Sequence, residues 1–295
     1  MTPEPGPGFA DRCAALCPGF RAGGPAIRAR KSELLAGELA GRPVLAKRLR
    51  APNAVWAWYF AREVARYRAF AAQPPAVRIP ALVAADADIL VIERFETPPI
   101  ATRRRPYAEL PATTVHALIA ACEAIHASAA QVPAELPPPA VIAELRRRVL
   151  EDPTAPVEWV RAGLARCCAR RVFGAVTLDH ALGALDRHAP VAPCHGDLLL
   201  RNAFALPEIA LVDWECAGLH IADWDLALLW SQLAASGRAI VEAHVGEGPR
   251  GRAFLALAVF ALGREVIFLH AFRIAADHAG LARVRDDLAS LEARL

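Results

Sequence analysis

The sequence predicts an α+β protein of two lobes, and three observations carry that expectation. Apolar runs of strand length are confined to the first third, apolar residues recur at helical spacing through most of the remainder, and Pro98-Pro99 closes the first regime. With 295 residues and 55% hydrophobic content, the chain has enough apolar surface for two cores. The expected units are an arm over 1–22, a strand-rich lobe over 23–97 and a helix-rich lobe over 98–295, with a cleft between the lobes.

Residues 1–22 are rich in Pro, Gly and Ala and read as a loose arm or a packed cap. From Ala26 to Leu49 two or three short strands are expected, with Gly37 and Gly41-Arg42-Pro43 supplying turns. Asn53 is placed to cap a helix running to about Ala72, with Glu63 in its middle. Arg78 to Val83 and Asp88 to Phe95 then read as strands. Beyond them Val115, Leu118, Ile119, Cys122 and Ile125 mark one helix. Others are expected near 140–150, within 155–187 and within 222–294, interrupted by a short strand pair around Asp197 and Asp213.

Composition excludes several classes. The net charge is +3 and the arginines are scattered, which does not call for nucleic acid. Seven cysteines occur without a CxxC pair, so neither a disulfide framework nor a zinc ribbon is expected, and a reducing cytoplasm fits best. No 18-residue apolar window suggests a membrane span, and the N-terminus does not read as a leader. His116, His126, His220 and His270 show no paired ligand spacing, so they read as packing or surface residues. Only two lysines, Lys31 and Lys47, and two asparagines, Asn53 and Asn202, occur in the chain, so either residue type at a demanding position is informative.

The chemistry concentrates in Cys194-His195-Gly196-Asp197-Leu198-Leu199-Leu200-Arg201-Asn202 and Leu211-Val212-Asp213-Trp214-Glu215. Phosphoryl transfer asks a protein for a carboxylate that orients the attacking hydroxyl and for hard oxygen ligands that hold Mg²⁺ against the phosphates. Asp197, Asn202 and Asp213 offer those groups. A plain hairpin with solvent-facing acids and a turn asparagine is the bland alternative.

HGDLLLRN followed by LVDWE resembles the motifs of the aminoglycoside phosphotransferase and choline kinase family, which shares the protein-kinase-like fold. The resemblance implies a bilobal architecture with a small antiparallel β lobe and a larger helical lobe. It implies Asp197 as catalytic base, Asn202 and Asp213 as Mg²⁺ ligands and His195 as a structural brace. Asp225, in ADWDLA, would be the aspartate that ties the loop down, with Asp223 the alternative. Lys47 and Glu63 resemble the ion pair that positions nucleotide phosphates. Ile89 to Phe95 would form the hinge, with Glu93 and Phe95 presenting backbone groups to the base of ATP or GTP. The stretch from Ala26 to Glu33 lacks glycine, which leaves Arg30 to Ser32, Ser32 among them, as candidate phosphate contacts.

Trp214, Trp224 and Trp230 offer either an aromatic cage for a quaternary ammonium or helix packing, the latter favoured. The segments 131–190 and 228–295 each hold seven acidic and eight basic residues, so a neutral or modestly charged hydroxyl acceptor such as a sugar, amino alcohol or macrolide-like molecule is expected, rather than a polycation. Two rivals remain: a pseudokinase that holds nucleotide without turnover, and a metal-dependent hydrolase built from His195, Asp197, Asp213, His220 and Asp223.

Overall fold

The computed structural model describes residues 8–28, 31–50, 54–102, 107–128, 156–185, 189–271 and 278–295. The Asn53 cap and the helix expected near 140–150 lie outside these residues. Helix α1 (Phe9–Leu16) opens the chain and is followed by β1 (Arg21–Ala22), β2 (Ile27–Arg28), β3 (Ser32–Leu39), β4 (Arg42–Leu49), α2 (Ala54–Ala72), β5 (Leu82–Ala85) and β6 (Ile89–Glu93). The strands form one antiparallel sheet in the order β1-β3-β4-β6-β5, with β2 also on β3.

The β3–β4 hairpin turns through two residues, Ala40 and Gly41, both at positive φ (51° and 77°). A two-residue turn of that hand matches the right-handed twist of the strands it joins. Its register sets the faces. Val44 and Ala46 lie on one side with Phe9, Cys13, Cys17, Phe20 and Leu35. Of the two forms open to the N-terminal arm, its described part is thus a packed cap. With a period of two, Leu45, Lys47 and Leu49 face the opposite side, toward α2 and the second lobe.

The remaining elements are α3 (Ala112–Ala127), α4 (Pro156–Ala169), α5 (Ala175–Ala184), β7 (Val191–Cys194), β8 (Ala203–Ala205), β9 (Ile209–Leu211), β10 (Gly218–Ile221), α6 (Trp224–Trp230), α7 (Ala235–Val245), α8 (Gly248–Ala271) and α9 (His278–Glu292). The single strand pair expected around Asp197 and Asp213 is instead two ribbons, β7 with β10 and β8 with β9. Asp197 follows β7 and Asp213 follows β9, so each acid sits where a ribbon ends. Trp214, Trp224 and Trp230 are buried in the main core, which removes the aromatic-cage reading. Trp214 meets Phe70 edge-on, with ring centroids 4.9 Å apart.

Among the described residues, no helix is long and apolar enough to cross a membrane.

Gly163 of α4 tests how closely the helices pack, because a Cβ there would stand 2.2 Å from Phe260 Cε2 on α8. Gly→Ala inside a helix ordinarily stabilises by about 1 kcal/mol. Here overpacking, at about 1–3 kcal/mol, opposes that gain. Gly163→Ala should therefore lower the unfolding free energy measured by urea denaturation. A stabilised variant would show that the α4–α8 contact is looser than described.

Candidate active site

Lys47 is carried by β4 on the face that looks toward the second lobe. Its Nζ lies 2.7 Å from Glu63 Oε2 on α2 and 2.8 Å from Asp213 Oδ1 after β9. One ammonium thus joins the sheet, the helix and the second lobe. Asp213 occupies the left-handed region (φ 66°, ψ 59°), a conformation that a short polar side chain tolerates better than most. Helix α2 is fixed against the next turn, since Arg62 and Arg66 each donate to the Ala217 carbonyl at 2.9 Å.

A third carboxylate, Glu215, completes the cluster, with one oxygen from each of Glu63, Asp213 and Glu215 lying within 4.8 Å of the others. Lys31, just before β3, pairs with Glu215. Both lysines of the chain therefore converge on these three acids. Burial pushes the Glu63 carboxyl up to about 7, helped by Asp213 and Glu215 and opposed by Lys47. Burial also acts to raise Asp213, but the Lys47 and Lys31 ammoniums outweigh it and hold that carboxyl below its ordinary range. For Lys47, burial favours the neutral amine, yet Asp213, Glu63 and Glu215 prevail and raise its pKa.

The loop from His195 to Asn202 is held almost wholly through its backbone. Asp225, at the start of α6, accepts the His195 N–H at 2.6 Å and the Gly196 N–H at 3.0 Å. Trp224 Nε1 donates to the Gly196 carbonyl at 3.1 Å. Gly196 has φ 80°, and a Cβ there would stand 2.2 Å from the Cys216 carbonyl oxygen. A side chain at this position is excluded twice over. The His195 ring pairs with the Val212 carbonyl at 2.9 Å, linking this loop to the residue before Asp213.

Asn202 Nδ2 donates to the Asp197 carbonyl at 3.0 Å and its own carbonyl accepts the Val212 N–H at 2.9 Å. The amide oxygen of Asn202 is thereby left for another partner. An amide oxygen and a carboxylate from Asp213 are hard donors of the kind Mg²⁺ takes while keeping water, so the residues fit that ion. The Asp197 carboxylate has Arg264 of α8 as its cation, at 3.8 Å.

The expected hinge is only partly available. The N–H groups of Glu93 and Arg94 donate to the carbonyls of Ala81 and Pro43, and the Glu93 carboxylate takes Arg78 and the Ala81 N–H. Phe95 alone of the three keeps an N–H without an acceptor among the described residues, and its ring meets Phe204 with centroids 5.2 Å apart. Ser32 is buried at the head of β3, while Lys31 beside it faces the acids. Arg30 lies outside the described residues.

Residues 36–258 match the model of the phosphotransferase enzyme family. The chain belongs to that family. It is a phosphotransferase with an alcohol group as acceptor. No curated protein sequence matches this phosphotransferase. Among solved structures it is similar to macrolide 2′-phosphotransferase MphH from Brachybacterium faecium, at 14% identity over 95% of this chain and 96% of that one, TM-score 0.60. APH(2″)-IIIa in its complex with GDP and kanamycin is 13% identical over 97% and 98%, TM-score 0.61. A thermostable mutant of aminoglycoside phosphotransferase APH(4)-Ia, in ternary complex with ADP and hygromycin B, is 15% identical over 96% and 97%, TM-score 0.57. These likenesses establish the protein-kinase-like fold.

The hydrolase arrangement is not assembled. His195 is spent on Val212, His220 packs against Trp159 and pairs with the Cys216 carbonyl, and Asp223 is held by both ends of the Arg250 guanidinium at 3.1 and 2.9 Å. Sequence reasoning passed over Glu215, Gln232 and Arg264. Gln232 is fully buried, accepts from the Leu200 N–H and donates to the Leu198 and Leu228 carbonyls. Two signals pointed to Lys31, the scarcity of lysine and its place within the Arg30 to Ser32 stretch.

The Glu63 value has a consequence for stability. Because about 7 in the folded chain exceeds the ordinary 4.5, the folded state holds a proton that the unfolded chain has released. The associated stability is complete below about pH 4.5 and is lost as pH rises through about 7. Glu63→Gln has no such titration. Urea denaturation from pH 4.5 to 7.5 should show the variant gaining on the wild type as pH rises; a constant difference would mean that Glu63 is ionised throughout.

Proposed function

We propose that this phosphotransferase moves the γ-phosphoryl group of Mg²⁺-bound ATP or GTP to a hydroxyl of a small, neutral or modestly charged acceptor. In this reading residues 23–97 form the nucleotide lobe, capped by 1–22, and 98–295 the acceptor lobe. One observation carries it: the Lys47 ammonium bridges Glu63 and Asp213 beside a loop in which Asn202 is tied to Asp197. The solved relatives complexed with GDP and with ADP support a nucleotide donor and leave both bases open.

Magnesium, when bound, neutralises phosphate charge and orients the transferred group. Asn202 Oδ1 and the Asp213 carboxylate would hold it. Lys47, kept in place by Glu63, would take the α- and β-phosphates, and the Phe95 N–H would meet the base. Asp197 would orient the acceptor hydroxyl and receive its proton. His195 and Asp225 support the loop from behind, so that the Asp197 carboxylate needs no rearrangement to act.

The acceptor reading rests on the near-neutral acceptor-side composition and on Arg264, whose guanidinium beside Asp197 disfavours a polycation. Seven unpaired cysteines support a reducing, cytoplasmic setting.

Transfer of labelled γ-phosphate from ATP and GTP to a panel of sugars, amino alcohols, macrolides and aminoglycosides tests the assignment. Asp197→Asn should lower turnover by about 10²–10⁴-fold while nucleotide still binds. Undiminished turnover would remove Asp197 from the chemistry. In thermal unfolding, MgATP or MgGTP at a hundred times its Kd should stabilise the wild type by about 2.7 kcal/mol. Asp213→Ala should lose the magnesium-dependent part, and a full response in that variant would place the metal elsewhere.

A further inference from the structure

Behind the loop that Asp225 supports lies a second group of ligand-type side chains that the phosphotransferase reading does not use. Cys194 is the last residue of β7, directly before His195. Its Sγ lies 3.6 Å from His126 Nε2 on α3, and one atom each from His126, Cys194 and Asp225 fall within 4.8 Å of one another. One turn earlier on α3, at the i−4 position from His126, stands Cys122, fully buried. Residues four apart on a helix share a face, so Cys122 and His126 form a helical ligand pair that spacing along the chain alone did not flag.

The distances suit one ion in particular. With Zn–S about 2.3 Å and Zn–N about 2.0–2.1 Å at tetrahedral angles, sulfur and nitrogen in the same coordination sphere stand about 3.5 Å apart. The observed separation of 3.6 Å is that edge. Access is provided from the other side. A cavity of about 900 Å³ is lined by His126, Ile221, Ala222 and Asp223, so His126 forms the wall between solvent and the thiol. In the bland reading, a thiol simply donates to an imidazole in a packed core. That explains the Cys194–His126 contact, and the two amides explain where Asp225 stands; what it does not use is the result, a thiol, an imidazole and a carboxylate oxygen all within 4.8 Å of one another beside a cavity.

We propose that Cys194, His126 and Asp225, with Cys122 behind them, form a Zn²⁺ site whose occupancy disturbs the His195–Asn202 loop through Asp225. Binding exchanges the Cys194 S–H bond for an S–Zn bond and releases the proton to solvent. His126 gives its Nε2 lone pair. Asp225 shares with the metal oxygens that otherwise accept only the His195 and Gly196 amides.

Only the loss of activity rests on the phosphotransferase reading; metal binding is read directly. Titration of the full chain with CoCl₂ in metal-free buffer should give one equivalent with a thiolate-to-cobalt charge-transfer band, displaced by ZnCl₂. Cys194→Ala should abolish the band, and His126→Gln should weaken binding at least tenfold, with folding followed by circular dichroism. If Cys194→Ala does not fold, His126→Gln decides alone. In excess Mg²⁺ and nucleotide, Zn²⁺ should lower phosphotransfer in the wild type and spare His126→Gln. Failure to bind cobalt or zinc, or binding unchanged in the variants, overturns the site. Stoichiometric binding that leaves phosphotransfer intact overturns the coupling to the loop.

Discussion

The two lobes meet at one buried ammonium. Lys47 comes from a strand, Glu63 from a helix and Asp213 from the end of a ribbon in the other lobe, and the ammonium donates to both carboxylates. A buried ion pair is a poor source of stability, because the desolvation of each charge consumes most of the Coulomb gain. Its value lies in geometry, since one ammonium held between two carboxylates fixes a strand, a helix and a ribbon end relative to one another. The position of α2 is accordingly over-determined, by Glu63 on one face and by Arg62 and Arg66 on the Ala217 carbonyl.

A second constraint is that the loop beside Asp197 is shaped by side chains that bind its backbone. Asp225 and Trp224 take the amides and carbonyl at its start; Gln232, two residues beyond α6, takes Leu198 and Leu200. Helix α6 therefore acts as a template. Ordering a loop's backbone costs about 1–2 kcal/mol per residue, a cost these hydrogen bonds offset within the fold, so that Asp197 and Asn202 are already in place when a ligand arrives. The absence of a Cβ at Gly196 lets the chain approach Cys216, which brings the Asp197 and Asp213 segments together.

Legibility followed the length scale of each interaction. The spacing of Asp197, Asn202 and Asp213, and the change from strand to helix period near Pro98, are local patterns and were readable. The two-ribbon arrangement was not, because β10 returns to β7 from more than twenty residues away and nothing in either three- or four-residue run names its partner. Gln232 was invisible for the same reason: a lone glutamine after a helix has no signature until the backbone it binds is in place. Glu93 looked available as a hinge residue, yet its neighbours Arg78 and Ala81 occupy it, a competition that depends on the β5–β6 pairing. Lys31 was readable in two ways, as a rare lysine in a chain that otherwise uses arginine and as a member of the Arg30 to Ser32 stretch before β3.

That preference for lysine at two places has a physical reason. Arg presents a broad planar fork, whereas an ammonium is a compact charge with donors in three directions. At Lys47 the donors must reach two carboxylates on separate elements and still leave room for phosphate oxygens, which a guanidinium in the same space would fill. At Lys31 the partner, Glu215, is two residues from Asp213, so the pair joins the start of β3 to the turn that carries Asp213. The approach to β3 has no glycine, and the ammonium that stands there is paired with Glu215, on the same short turn as Asp213.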